Sequence, residues 1–171
     1  MTHGNFVACA PALLALTLAA CGGSSSEASY FCPEPFTVQD AGRLTHFKDG
    51  PGRDPRDIAY EASIIGATTK CELTRNQIDV TLFLRISASA GPSVQAGRTS
   101  IPYFVRVLDS ANNVVQSQEF TADFRLTSGS PRGSSQEELT LSVSRDGGYR
   151  IAVGLKPTME ELNYNRRGRQ P

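Results

Sequence analysis

The sequence predicts an all-β domain, an antiparallel β-sandwich of about seven strands of immunoglobulin or fibronectin type, with a short helix at its C-terminal end. Two observations predict it. Apolar residues alternate with polar ones over several short segments, which is typical of strands that bury one face. Turn-forming residues separate these segments at short intervals, and no helical period competes with the alternation over the body of the domain.

The alternation is clearest in the segment that contains Ile78, Val80 and Leu82, whose neighbours at odd positions are largely polar. Residues 109–113 read DSANN, a turn cluster that predicts a hairpin between its flanking strands. Pro102 suits an edge strand or the first residue of a strand. The predicted strands cover residues 58–64, 78–87, 100–108, 114–126, 137–145 and 149–155.

A capping box predicts where the short helix begins. Thr158 and Glu161 have the spacing in which each side chain satisfies the backbone amide of the other residue. We therefore divide the chain into a leader (1–20), a flexible tether (21–31), the β-sandwich domain (32–165) and a basic tail (166–171).

Length and charge limit the function classes. A chain of 171 residues suits one domain with a real core. Lys plus Arg and Asp plus Glu number 17 each, so no overall field steers the protein onto nucleic acid, and we predict no nucleic-acid partner.

The N-terminal segment predicts export. Residues 6–20 read FVACAPALLALTLAA, which is too short to span a bilayer but fits the apolar core of a secretory signal. The preceding MTHGN carries no Lys or Arg, which departs from the usual signal-peptide pattern.

Residues 18–21, LAAC, resemble the lipobox of bacterial lipoproteins, in which a lipid is attached to the cysteine before cleavage. The resemblance implies that Cys21 is the lipidated N-terminus of the mature protein, followed by the flexible stretch GGSSS. It also implies that Gly22, rather than Asp, directs the protein to the outer membrane, facing the periplasm. The covalent lipid is the only non-protein group that we expect.

The remaining cysteines predict a disulfide. Cys9 lies in the leader and Cys21 is acylated, which leaves Cys32 and Cys71 for each other in an oxidising compartment. The alternative is a redox or metal site, which lacks a CxxC motif and a nearby histidine pair. We predict no metal site.

Catalysis is the weaker hypothesis. Only His46 remains among the histidines after the leader is removed, no GxSxG motif occurs, and a solvated position in a turn-rich region is the simpler interpretation of His46. Residues 48–57 read KDGPGRDPRD, which could bind calcium but is more typical of an exposed structural loop. We predict that the protein is not an enzyme.

Four residues are candidate partner contacts. Tyr103 and Phe104 are adjacent in a strand and therefore face opposite sides of the sheet, so that one of the two aromatics could be exposed. Burial under a neighbouring loop or the C-terminal helix is the commoner outcome for such a residue. Arg166 and Arg167 in the basic tail could touch an anionic partner, although such tails are more often simply solvated.

Several segments together resemble a family of small proteobacterial envelope lipoproteins of uncharacterised function. They are CPEPF, DAGRLTHF, GPGRDPRDIAYEA, IPYFVRV and ELNYNRR. The resemblance implies an envelope lipoprotein and no catalytic residues. Three hypotheses follow: an interaction or structural module with an envelope protein as partner, a binding module for a small ligand, glycan or metal, and, least favoured, a hydrolase.

Overall fold

The computed structural model describes residues 1, 32–145 and 147–167. The predicted leader, the lipidation of Cys21 and residues 168–171 of the tail lie outside the described residues. Eight strands and one helix form in the described part of the chain. They are β1 (Glu34–Thr37), β2 (Arg43–Phe47), β3 (Ile58–Leu73), β4 (Gln77–Ala90), β5 (Gly97–Leu108), β6 (Val114–Leu126), β7 (Arg132–Ser144), β8 (Arg150–Leu155) and α1 (Met159–Arg167).

The strands form two four-stranded sheets, which confirms the β-sandwich. The first sheet has the order β1-β8-β5-β6 and the second has the order β2-β3-β4-β7. Neighbouring strands are antiparallel except β1 and β8, which run parallel, so the prediction of a wholly antiparallel fold is wrong at that edge. Strands β1 and β2 were not among the six predicted segments, and with them the described part of the chain has eight strands, where about seven were predicted.

Four central strands are divided between the two sheets in the way expected of an immunoglobulin-like fold. β4 pairs with β7 in one sheet while β5 pairs with β8 in the other, as strands B and E and strands C and F do in immunoglobulin domains. The parallel strand β1 occupies the edge beside β8, where an immunoglobulin domain places its last strand.

Alternating residues of both sheets fill the core, as the sequence predicts. On β4 every second residue from Ile78 to Ala88 is buried, and the same holds on β8 for Ile151, Val153 and Leu155. The side chains between those of β4 face outward, and Asp79 accepts a hydrogen bond from Ser142 on the neighbouring strand.

The predicted disulfide between Cys32 and Cys71 is present, with a Cα–Cα distance of 5.6 Å. Cys32 directly precedes β1 and Cys71 lies near the end of β3, so the bond joins the edge of the first sheet to the second sheet.

The strand directions give the sandwich two distinct ends. The Cys32 end contains the disulfide and the turns at residues 74–76, 109–113 and 145–149. The opposite end, which we call the pocket end, contains the loops at residues 48–57, 91–96 and 127–131 and the start of α1.

Helix α1 packs along the edge strand β2. Asn165 accepts a hydrogen bond from the buried Thr45 at 2.8 Å, and Tyr164 packs edge-on against Phe47. The helix extends through Arg167, so the domain boundary that the sequence predicted after residue 165 lies two residues too early. In the described residues, no helix has the length and apolar character needed to cross a membrane.

Candidate functional site

A pocket of about 250 Å³ opens at the pocket end of the sandwich. Its walls are the end of β2, the beginning of β3 and the loop between β4 and β5. The polar groups that line it include His46, Lys48, Asp49, Tyr60, Ser93, Gln95 and Arg98. A second depression, on the outer face of the second sheet beside Phe83 and Arg85, contains no histidine, carboxylate or cysteine. The first pocket is the candidate site, because a histidine, a lysine, a carboxylate and a tyrosine line it together.

A buried carboxylate contacts the His46 ring. Its Nδ1 lies 2.7 Å from Oε1 of Glu161, a residue that is only 6% exposed. His46 lies in β2 rather than in a turn, and the helix brings Glu161 against it. Its side chain is 44% exposed, which agrees with the predicted solvated position. With Nδ1 directed at the carboxylate, Nε2 is the ring nitrogen left for a ligand.

The predicted capping box positions Glu161. Its second oxygen accepts the backbone N–H of Thr158 at 2.7 Å, and the Thr158 hydroxyl accepts the backbone N–H of Glu161. Both carboxylate oxygens are thus satisfied, which is what a buried charge requires. The first turn of α1 consequently has two roles, since it begins the helix and orients His46.

The Tyr60 ring stacks on the His46 ring. The two rings stack across β2 and β3 with centroids 4.7 Å apart. Burial, with a smaller contribution from the Glu161 charge, raises the pKa of Tyr60 to about 12. Tyr60 therefore stays protonated at neutral pH.

Loop 48–57, the charged segment noted in the sequence, is a structural loop. Lys48 binds Asp57 at 2.7 Å, and this hydrogen bond is the largest cause that lowers the pKa of Asp57. Arg53 donates to both oxygens of Glu160 on α1 and to the carbonyls of Gly50 and Gly52. These contacts close the loop on itself and fasten it to the helix.

The loop between β4 and β5 is fastened to the same strand. The backbone amides of Gly91 and Ser93 donate to the carbonyls of Ala59 and Ile58. A Cβ on Gly91 would lie 2.2 Å from the Ile58 carbonyl oxygen, so only glycine permits this close approach. The Ser93 hydroxyl donates to the Arg56 carbonyl at 2.6 Å and is committed to the loop rather than to His46.

The arrangement can bind, but the described residues do not form a complete catalytic set. A carboxylate and a histidine are in contact, as in many general-base pairs, but Ser93 is engaged elsewhere. Among the described residues, no three His, Cys, Asp or Glu side chains converge on one point that could hold a metal. A small polar ligand could hydrogen-bond to His46 and to the loop side chains around it.

The structure separates the residues that the sequence proposed as partner contacts. Tyr103 lies in the core, and Phe104 is 9% exposed because its ring covers Gly154 and lies beside Ala41. Neither aromatic offers a free contact, which corrects that prediction. The reason is that the turn before β2 covers the outer face of the first sheet.

The two arginines of the predicted tail belong to α1. Arg166 binds Asp40 at 2.6 Å, which ties the last turn of the helix to the segment before β2. Arg167 is exposed. No local pattern could have revealed the pair of His46 and Glu161, because 115 residues separate them, although the capping box did identify the turn that carries Glu161.

The comparisons with known proteins add little. No protein-family model matches the chain, and no curated protein matches it at a significant level. A solved structure of a beta-glucuronidase from glycoside hydrolase family 2 aligns with a TM-score of 0.40 at 13% identity, over 54% of this chain and 10% of the glucuronidase chain. At that TM-score the likeness carries no argument about function.

Proposed function

We propose that the protein is a lipid-anchored β-sandwich that acts as a non-enzymatic interaction or structural module in the cell envelope, on the outer membrane and facing the periplasm. The observation that carries the proposal is the Cys32–Cys71 disulfide. Such bonds persist in oxidising compartments, which is where the predicted signal would deliver the domain. The LAAC motif lies 11 residues before Cys32 and would anchor the chain through Cys21.

The interaction role is supported by the construction of the domain. The loops of the pocket end are fastened by backbone hydrogen bonds and ion pairs, so they form a fixed surface of the kind that binds partners without rearrangement. Ser93 does not face His46 as an activated nucleophile, which favours binding over hydrolysis.

Metabolic labelling with a fatty acid tests the anchor. The wild-type protein should incorporate the label and Cys21→Ala should not. Cys9→Ala, which changes the other cysteine of the N-terminal segment, is the matched control and should be labelled like the wild type. Equal labelling of Cys21→Ala would overturn the anchor. Crosslinking in intact cells followed by pull-down would then identify the envelope partner, and recovery of the protein without any crosslinked partner would count against the interaction role.

A second function, a periplasmic binding module for a small ligand, a glycan or a metal, is favoured by the pocket around His46. Thermal unfolding should be measured with a panel of monosaccharides and divalent metal chlorides. A ligand of this site should raise the Tm of the wild type and of Arg145→Ala, a variant at the Cys32 end, but not that of His46→Ala. Equal shifts in all three proteins would exclude this site.

A further inference from the structure

Exposed apolar side chains concentrate at the Cys32 end of the domain. Among the described residues of 32–145 and 147–167, six large apolar side chains are exposed. Four of them, Phe36, Leu73, Val114 and Val115, belong to the Cys32 end, while Ile65 lies in the middle of β3 and Met159 at the pocket end. The placement of four of the six at one end of the domain favours a contact surface at that end.

The strand register explains this placement. Leu73 is the last residue of β3, and Val114 and Val115 are the first two residues of β6. Phe36 lies on the short edge strand β1. The pairing of β1 with β8 begins at Glu34 and Arg150, and Phe36 is two residues after Glu34. The four side chains therefore surround the end of both sheets rather than one face of one sheet.

The pocket end has the opposite character. Its loop 48–57 is rich in charge, and the ion pairs of Arg53 with Glu160 and of Lys48 with Asp57 lie at its surface. The two ends are roughly 40 Å apart, which is the length of a 13-residue strand such as β6.

The position of the anchor selects the partner for the apolar end. Residues 21–31 connect the predicted lipidated Cys21 to Cys32, and 11 residues reach roughly 40 Å when fully extended. The end that carries Cys32 is thus kept within that reach of the bilayer, while the pocket end lies one strand length farther from the point of attachment.

We propose that the Cys32 end docks on the phospholipid surface, with Phe36, Leu73, Val114 and Val115 entering the headgroup region, and that this orientation directs the His46 pocket away from the membrane. The proposal rests on the lipid anchor proposed above. Contacts at Phe36 on β1, at the end of β3 and at the start of β6 would then fix an orientation that a single point of attachment leaves free.

Charge at this end indicates how the contact should respond to salt. Three arginines lie there, namely Arg75, Arg145 and Arg150, and the Arg150 guanidinium lies over the Phe36 ring. Carboxylates lie there as well, namely Glu34, Glu72 and Asp109. Because the described charges of both signs are mixed, apolar insertion rather than attraction to anionic lipid should dominate, and docking should persist at high salt.

Fluorescence quenching by lipids tests the orientation. The full-length lipidated protein is reconstituted in phosphatidylethanolamine and phosphatidylglycerol vesicles that contain a lipid with a quencher on its acyl chain. Single cysteines at positions 115, 65 and 159 carry an environment-sensitive fluorophore, and each is the only free thiol because Cys32 and Cys71 are bonded and Cys21 is acylated. Ile65 is the matched control for Val115, since the two residues are 50% and 49% exposed.

We expect clear quenching at position 115, where the side chain should enter the headgroup layer, and little or none at positions 65 and 159. Quenching at position 65 as strong as that at position 115 would also overturn the docking. The difference should remain in high salt. Equal quenching at positions 115, 65 and 159, or the strongest quenching at position 159, would overturn the docking. Circular dichroism of each labelled variant confirms that it is folded.

The outcome separates the docking from the anchor. If the unlabelled wild type does not remain with the vesicles and carries no lipid, the proposed anchor is wrong. If the protein is lipidated and remains with the vesicles but position 115 is no more quenched than position 159, the docking alone is wrong.

Discussion

Removal of the disulfide should lower the free energy of unfolding by about 4 kcal/mol, the chain-entropy value for a closed loop with the observed sequence separation of 39. The structure gives a reason to expect this full effect. Strand β1 has only four residues, lies at the edge of its sheet, and contains Pro35, which has no amide to donate. The bond to Cys71 on β3 holds this strand in place, so β1 belongs to the cooperative fold.

Urea denaturation of the wild type and of the Cys32→Ser/Cys71→Ser double variant measures the difference, and the double variant avoids an unpaired thiol. Wild type treated with dithiothreitol serves as the control and should unfold like the double variant. Hydrogen exchange should show faster exchange at the Val38 amide, which donates to the Val153 carbonyl of β8, when the bond is absent. A loss below about 1 kcal/mol would refute the reasoning, because it would mean that β1 already frays in the oxidised protein.

Three further predictions concern the core, the helix and a tyrosine. Gly154→Ala places a Cβ 2.4 Å from the Phe104 ring and should destabilise the fold by about 1 to 3 kcal/mol, whereas an unchanged Tm would mean that the ring moves freely. Glu161→Ala should cost about 2 kcal/mol, because it removes a cap and a buried charged acceptor, while Glu160→Ala, its exposed neighbour, should cost less than about 1 kcal/mol. Equal losses in thermal denaturation of these two variants would contradict the burial argument. Tyr60 has a folded pKa near 12, above its ordinary value of 10, so its contribution to stability should be intact below pH 10 and disappear as the pH rises from 10 to 12. In an absorbance titration, Tyr60→Phe should remove a phenol that ionises near pH 12, and the removal of one that ionises near pH 10 would refute this.

The long strands β4 and β6 could be predicted because each has one buried and one solvated face. The longest strand, β3, was predicted only as far as Ile64 and extends to Leu73. β6 begins and ends at the predicted residues, and β4 lies within three residues of its prediction. The turn between β5 and β6 formed as predicted, since Asp109 accepts two backbone amides and Asn112 adopts a positive φ. The local sequence pattern was sufficient to predict β4 and β6 because solvent, rather than another segment of the chain, covers the outer face of each strand.

Strand β2 was missed because both of its faces are covered. Leu44 and Phe47 are buried, and Thr45 is also buried because α1 packs over the outer side. Alternation therefore disappears from its sequence. A contact with a helix more than 100 residues farther along the chain cannot be read from a five-residue segment.

Pro102 is a different kind of error. It lies within β5, a central strand, although proline favours edges. Its carbonyl accepts the amide of Lys156, which lies just beyond the end of β8. The nitrogen and the carbonyl of a strand residue face the same side, so the Pro102 nitrogen also faces β8 rather than β6. The pairing of β5 with β8 has already ended at this position, and no hydrogen bond to β6 is lost.

The candidate site and the C-terminal helix depend on each other, and this is why sequence reasoning found the turn but not the site. Glu161 is needed to cap α1, and the same carboxylate is buried only because α1 packs on β2 beside His46. The His46 side chain is 44% exposed even with the helix in place, as the sequence predicted. No residue of α1 lines the pocket, but Glu161 orients the His46 ring, so a variant that releases α1 should lose the orientation of His46 even if the two sheets and the pocket remain intact.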